Sequence, residues 1–429
     1  MTAPHTLSRG SILIAAFSTI VEWYDFTLYL YLVTVLARVF FDGGQASILA
    51  TLAGFALAYL MRPIGALVFG YIGDRHGRRP TMLFSMALMS AAMFATALLP
   101  TAAQIGPVAG VLLLLIRCVM GFSVGGEYTG VVAYLLEGAP PNRRGLITSL
   151  AAAASEIGAL LAVGVAALTV SSMSNDALVS WGWRIPFLLG AALAGGVLIA
   201  RSQMQESPDF VRQKNRGTVP ANPLRYTLTR HRAGIARGFA ISALGSITYY
   251  VGITYVPVFL ISIGTLDEAG SLWLATIAAI AVIIVTPIIG ALSDRWGRKP
   301  VLIALALASA ALPVTMFSLM ASASYLNALG AAIVLAGVAG GVSAVGAVTT
   351  AEQFPGEGRL SGLAFGVTTA TAIFGGFTPY IAQLLMDRTH SALIPGIMIA
   401  IVACCVLPVV ITMPETSPKR KPPPPAPLV

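Results

Sequence analysis

The sequence predicts an all-α integral membrane protein of about twelve transmembrane helices, arranged as two pseudo-symmetric six-helix bundles. Three observations carry this. Of the 429 residues, 57% are hydrophobic and only 10% charged, against roughly 25% charged in a soluble protein, so the chain lacks the charge to cover a water-facing surface. Apolar runs of about twenty residues recur along its length, each long enough at ~1.5 Å per residue to cross a hydrocarbon core of about 30 Å. A polar loop motif also occurs twice, 220 residues apart, at the same place in each half. The runs are continuously apolar and do not alternate with a period of two, which excludes a membrane β-barrel.

The spans fall near 12–36, 47–70, 80–99, 108–136, 145–170 and 183–201, then 234–262, 271–292, 300–322, 325–350, 360–386 and 391–413. The first run, Ser11 to Phe41, is too long for a signal-peptide core and is expected to stay as a helix. It carries Glu22 and Asp25 near its midpoint, Tyr24. Their spacing of three puts them about 60° apart on the helix, so both can face one cavity. Spans 2 and 3 are joined by "GYIGDRHGRRP" at 70–80, which returns as "GALSDRWGRKP" at 290–300 between spans 8 and 9. Span 4 holds Arg117 and Glu127 on either side of its midpoint, and span 5 holds Glu156 near its centre. Gly121, Gly125, Gly126 and Gly130 in span 4, like "AGVAGG" at 336–341 in span 10, are read as close helix crossings. Trp181, Trp183 and Arg184 are expected to anchor span 6 at the external interface.

The longest polar break separates six helices from six. It gives an N-terminal bundle at 1–200, a cytoplasmic linker at 201–233, a C-terminal bundle at 234–413 and a cytoplasmic tail at 414–429. A weaker repeat relates Glu137 and Arg144 to Glu352 and Arg359, both shifted by 215. In the second half, span 7 places Tyr249, Tyr250 and Tyr255 near its middle, with Pro257 able to bend it. Tyr249 and Tyr250 are adjacent, about 100° apart, and are not expected to share one cavity. Packing between helices is the plain reading for any one of these tyrosines. Span 11 contains Gly375, Gly376 and Pro379, which weaken the helix and can leave carbonyls facing a cavity.

The net charge of +9 does not indicate nucleic acid, because it is one-sided. With the N-terminus inside, 21 of the 26 Lys and Arg residues are cytoplasmic, only Arg38, Arg184 and Arg388 are external, and Arg62 and Arg117 lie within spans. That is the positive-inside pattern, with lipid headgroups as the partner. Cys118, Cys404 and Cys405 fall in apolar spans and His5, His76, His231 and His390 in loops or tails, so no metal site is expected. Without a nucleophile–base cluster, metal spacing or a sizeable soluble domain, an enzyme is not expected either.

Charge at the bilayer centre costs about 2.5–3.5 kcal/mol, so intramembrane ionisable residues face the bundle interior or a wet cavity and are functional candidates by default. Arg117 is a candidate to hold a substrate carboxylate through two parallel hydrogen bonds, with Glu22 and Glu156 beside it and Tyr249, Tyr250 and Tyr255 around the substrate body. Carboxyl groups that leave water and crowd one another can load and release protons, which makes Asp25, Glu22 and Glu127 the candidates for proton coupling. The competing reading is a buried ion pair that locks two helices, although a single pair does not account for four acids.

The doubled Gly-x-x-x-Asp-Arg-x-Gly-Arg loop in a 6+6 chain resembles the major facilitator superfamily. Together with "EWYDF" at 22–26, "RPIG" at 62–65, "GFSVGGEYTG" at 121–130, "WGWRIPF" at 181–187, "ESPDF" at 206–210 and "AIFGGFTP" at 372–379, it resembles that superfamily's metabolite:proton symporters, carriers of proline and betaine, α-ketoglutarate, shikimate and citrate. The resemblance implies a bacterial inner-membrane, multi-pass protein with both termini cytoplasmic, acting as a monomer. It would import a small carboxylate-bearing metabolite with protons as coupling ion and no cofactor. A proton-driven exporter of drugs or metabolites shares the architecture and is the alternative. The resemblance also implies that Gly70, Asp74, Arg75 and Arg78, with Gly290, Asp294, Arg295 and Arg298, form a conformational latch. Asp25 and Glu127 match positions that the family keeps acidic, whereas Glu156 falls where a neutral residue is expected.

Overall fold

The computed structural model describes residues 9–41, 43, 45–76, 78–125, 127–140, 142–203, 211, 214, 223–322, 324–354 and 359–417. The side chains of Glu127, Asp74, Arg75 and Arg78, the surroundings of Gly70, most of the expected linker and the tail beyond 417 lie outside that description. Among the described residues every regular element is a helix. The first half comprises α1 (Arg9–Tyr31, continued by Val33–Phe40), α2 (Gln45–His76), α3 (Arg78–Leu98), α4 (Val108–Val124, continued by Glu127–Gly138), α5 (Arg144–Ser172) and α6 (Arg184–Arg201). The second comprises α7 (Arg232–Tyr249, a π-helical turn Tyr250–Thr254, then Val256–Ser262), α8 (Glu268–Trp296), α9 (Arg298–Met320), α10 (Tyr325–Glu352), α11 (Arg359–Leu363 through to Thr378–Thr389) and α12 (Ile394–Thr412).

Nine helices among the described residues are long and apolar enough to span a bilayer unbroken. Three more spans are interrupted, and the interruptions have local causes. In α1 the Ser18–Tyr31 segment and Val33–Phe40 meet at 67°. In α4 the expected run 108–136 is described as Val108–Val124 and Glu127–Gly138, with Gly125, a residue type that propagates a helix poorly, in a turn after the first. In α7 the bend of 47° precedes Pro257, whose missing N–H leaves the preceding turn without its usual donor. The Tyr255 N–H bonds instead to the Tyr250 carbonyl five residues back, at 2.9 Å. Around Gly375 and Gly376, α11 contains π-helical turns at Ala364–Thr368 and Ala372–Gly376.

The packing repeats with an offset of six helices. α1 lies on α5, α2 on α4 and α3 on α6, and likewise α7 on α11, α8 on α10 and α9 on α12. The halves meet along α5/α8 and α2/α11. Lipid offers no hydrophobic drive for helix association, so contact depends on close van der Waals approach at small residues. A Cβ at Gly65 would overlap the Phe122 carbonyl, and one at Gly121 the Ala58 carbonyl, so α2 and α4 touch backbone to backbone. Side chains such as Ile199 and Ile401 face outward, as a lipid-facing surface requires. Trp181 is exposed and fits an interfacial anchor, but Trp183 does not: it is fully buried with its ring edge-on to Phe40.

Candidate functional site

A cavity of about 120 Å³ lies between the halves, with room for several waters. From the first half it is lined by Glu22 and Trp23 of α1, Arg62 of α2 and the glycine break of α4; from the second, by α7, α10 and α11. It extends from mid-depth toward the end of the molecule that carries the 75–79 and 295–299 connections, called here the basic end. The two walls differ chemically. The second half contributes hydroxyls, with Ser246 Oγ donating to Thr371 Oγ1 at 3.2 Å and Ser242 Oγ to the Val367 carbonyl at 3.2 Å. The ionised groups are all on the first half.

Arg62 is the arginine of this cavity. It is 6% exposed, its Cζ lies 3.8 Å from the Phe26 ring centre and 4.3 Å from that of Tyr59, and its Nη2 is 3.9 Å from Glu22 Oε1. Rings on two sides hold the guanidinium plane in place through cation–π attraction. The sequence set Arg62 inside the expected span 47–70 but offered no reason to choose it as a site residue, although the desolvation argument applied to Arg117 holds equally for it.

Arg117 and Asp25 are not among the cavity's lining residues. They form a buried pair, with Nη1 donating to Oδ2 at 2.7 Å and Nη2 to Oδ1 at 3.4 Å, and with side-chain exposures of 5% and 0%. The Tyr29 and Phe187 rings flank the guanidinium at 5.0 and 5.2 Å. The acids expected on one level are thus separated: Glu22 faces the cavity, Asp25 is occupied by Arg117, and Glu156 is buried on α5 beside Tyr249. The side chain of Glu127 lies outside the described residues.

Tyr249 and Tyr250 both line the cavity, contrary to the expectation from their angular separation. The cavity is wide enough to wrap the corner of α7 where the π-helical turn begins, so it meets adjacent residues on both sides of that corner. Trp23 packs edge-on to Tyr249 at 5.1 Å and is stacked over Tyr250 at 6.3 Å, and the Tyr250 hydroxyl hydrogen-bonds that of Tyr59 across the two halves. These rings pack α1 and α2 against α7 across the two halves. Tyr255 lies outside the cavity lining and belongs to a separate network, donating to Gln383 Oε1 at 2.6 Å while Gln383 Nε2 donates to Asp387 Oδ1 at 2.9 Å.

At the basic end Asp294 bridges the halves: its oxygens accept from the backbone N–H groups of Gly145 and Leu146 at the start of α5, both at 2.9 Å. A helix N-terminus offers unsatisfied donors and a positive dipole end to such a carboxylate. The fully buried Arg298 holds Asp294 in place, with Nη1 at 2.9 Å, and also reaches Glu352 at 3.3 Å. Gly290 lies directly against Gly145 and Ser149, where a Cβ would not fit. Arg295 is exposed. Among the described residues no three His, Cys, Asp or Glu side chains are grouped to hold a metal ion.

Family models match almost the whole chain: residues 11–231 match the Sugar (and other) transporter model and residues 264–428 the Major Facilitator Superfamily model. The citrate-proton symporter of Klebsiella pneumoniae is 32% identical over 401 residues, covering 93% of this chain and 90% of that one. The proline/betaine transporter of Salmonella typhimurium is 31% identical over 420 residues, covering 95% and 84%. The solved structure of the proton:xylose symporter XylE superposes with a TM-score of 0.77 over 95% of this chain and 96% of that one at 20% identity, a likeness of fold. Nine unbroken spans and two bent ones among the described residues, a cavity between two halves of like packing and these relatives converge on one assignment: the chain belongs to the major facilitator superfamily, a multi-pass membrane transporter of the metabolite:proton symporter group and not an enzyme.

Proposed function

We propose that the protein is a proton-coupled symporter that takes up a small carboxylate-bearing metabolite by alternating access, with the substrate held in the cavity between the halves. The observation that carries this reading is Arg62, set between Phe26 and Tyr59 at the cavity wall beside Glu22. A planar guanidinium presents two parallel N–H donors to a carboxylate. Glu22 balances that charge in the empty site and faces the cationic end of a zwitterion. Trp23, Tyr249 and Tyr250 offer ring faces to an ammonium group or an apolar body. A triacid would set two further negative charges against Glu22, so a zwitterion such as proline or betaine, or a monoacid, fits this wall better. Support for proton coupling and for this substrate range comes from the relatives, one named for citrate with protons and one for proline and betaine.

On this reading the Asp294 bridge latches the basic end and an Arg38–Glu268 bridge the opposite end, and the two open alternately. The charge bias supports an inner-membrane orientation with both termini and the basic end cytoplasmic. The test is uptake of labelled proline, glycine betaine and citrate into proteoliposomes holding the purified protein, with and without an outside-acid pH gradient. Gradient-driven accumulation of at least one of them is expected, lost in Arg62→Ala and weakened about tenfold in Arg62→Lys, which keeps the charge without the planar fork. Outward movement of apolar cations with no uptake of the panel would instead identify an exporter.

A further inference from the structure

The cavity wall supplied by the second half carries no charge among its described residues, and its polar groups are chiefly hydroxyls. Ser242 and Ser246 stand one turn apart on α7, Ser343 and Thr350 two turns apart on α10, and Thr368 and Thr371 three residues apart on α11. Each pair therefore shares one face of its helix, and the three faces meet at the cavity. In an apolar helix a serine or threonine commonly returns its proton to a carbonyl one turn back, as Thr350 does to Gly346 at 2.8 Å.

The other five hydroxyls divide into two kinds. Ser246 donates to Thr371 Oγ1 at 3.2 Å, Thr371 to the Val367 carbonyl at 2.9 Å and Ser242 to the same carbonyl at 3.2 Å, so these three have spent their protons and offer lone pairs. Ser343 and Thr368 bond to no protein group among the described residues, and their oxygens keep access to the cavity. Thr368 ends the π-helical turn Ala364–Thr368, where the regular spacing that favours a back-bond is broken. A substrate hydroxyl both donates and accepts, and so suits both kinds. An aliphatic body or a fully methylated ammonium does neither, a second carboxylate would meet lone pairs with no cation on this wall, and an ammonium finds its countercharge on the opposite wall at Glu22.

We propose that this wall is the second pole of the substrate site and that the transported compound is a hydroxylated monocarboxylate, with its carboxylate at Arg62 and its hydroxyls at Ser246, Ser343 and Thr368. This rests on the symporter reading above and narrows its substrate class. A site that hydrogen-bonds a substrate hydroxyl discriminates strongly against the analogue lacking it, because the site's own polar groups are then left unpaired.

Binding to the purified full chain, measured by titration calorimetry, tests this with three pairs of compounds that differ in their hydroxyls: glycerate and propionate, gluconate and hexanoate, hydroxyproline and proline. In at least one pair the hydroxylated member should bind about tenfold more tightly than its partner, and that preference should fall about three- to tenfold in Ser343→Ala and in Thr368→Val, as expected for one lost hydrogen bond. Absence of a preference for the hydroxylated member in all three pairs would overturn the proposal, and so would a preference that survives both substitutions unchanged. The wild-type comparison decides even where a variant folds poorly. Failure of the symporter reading is distinct: hydroxylated acids that bind with this preference but are not accumulated under a pH gradient would leave the wall assigned and remove proton-driven uptake. Accumulation of proline or glycine betaine without any such preference would do the reverse.

Discussion

Arg38 of α1 and Glu268 at the first turn of α8 form an ion pair at 2.9 Å that joins the two halves at the end remote from the basic loops. Thr34, one turn before Arg38, donates to the other oxygen of the same carboxylate. Both Thr34 and Arg38 lie on the Val33–Phe40 segment beyond the 67° bend in α1. Their side chains are 35% and 18% exposed, so the pair is worth only about 0.2–1 kcal/mol. Glu268→Gln should therefore change the accessibility of a cysteine introduced at Thr34 only a few-fold, measured by thiol labelling in membranes, and high salt should reproduce part of the effect in the wild type.

At the basic end the balance is different, because Asp294 and Arg298 are buried and hydrogen-bonded on all sides. Removing one partner of a buried pair costs about 3–5 kcal/mol. Asp294→Asn should lower the thermal stability of the detergent-solubilised protein markedly. It should also raise labelling of the basic end far more than Glu268→Gln raises labelling of the opposite end. Equal effects at the two ends would contradict the latch reading.

The Arg117–Asp25 pair yields a prediction that separates structure from transport. Arg117→Leu leaves Asp25, fully buried, without its cation and should fold poorly, at a cost of about 3–5 kcal/mol. Combining it with Asp25→Leu replaces the pair by apolar side chains and should restore much of the thermal stability. If transport returns as well, the pair only holds α1 to α4; if stability returns without transport, it takes part in the cycle.

Gly121→Ala tests the helix crossing. The added methyl would overlap the Ala58 carbonyl on α2, a backbone atom that cannot rotate away. Overpacking of this kind costs about 1–3 kcal/mol, and the melting temperature should fall. Gly130→Ala, with open space around its position, should leave it unchanged.

Much of the architecture was legible before any coordinates. Span number depends on composition over windows of about twenty residues, the basic end on the count of Lys and Arg, and the division into halves on a motif that recurs at a shift of 220. These are additive or local properties. That Glu22, Arg117 and Glu156 lie well inside their helices was legible for the same reason, since position along a helix follows from the sequence.

Rotation and neighbourhood were not legible. Which arginine meets the cavity depends on how α2 and α4 turn about their axes, and the glycine contacts that bring their backbones together settle it by placing Arg62 at the cavity and Arg117 against Asp25. Tyr249 and Tyr250 share a wall because a π-helical turn before Pro257 shapes the corner of α7, whereas Tyr255, five residues on from Tyr250, leaves it. Sequence by itself determined that ionisable side chains lie inside the long apolar runs, where desolvation is costly for each residue alone. Only the tertiary structure decided which of them are paired and which line the cavity, because those properties belong to contacts between helices far apart in the chain.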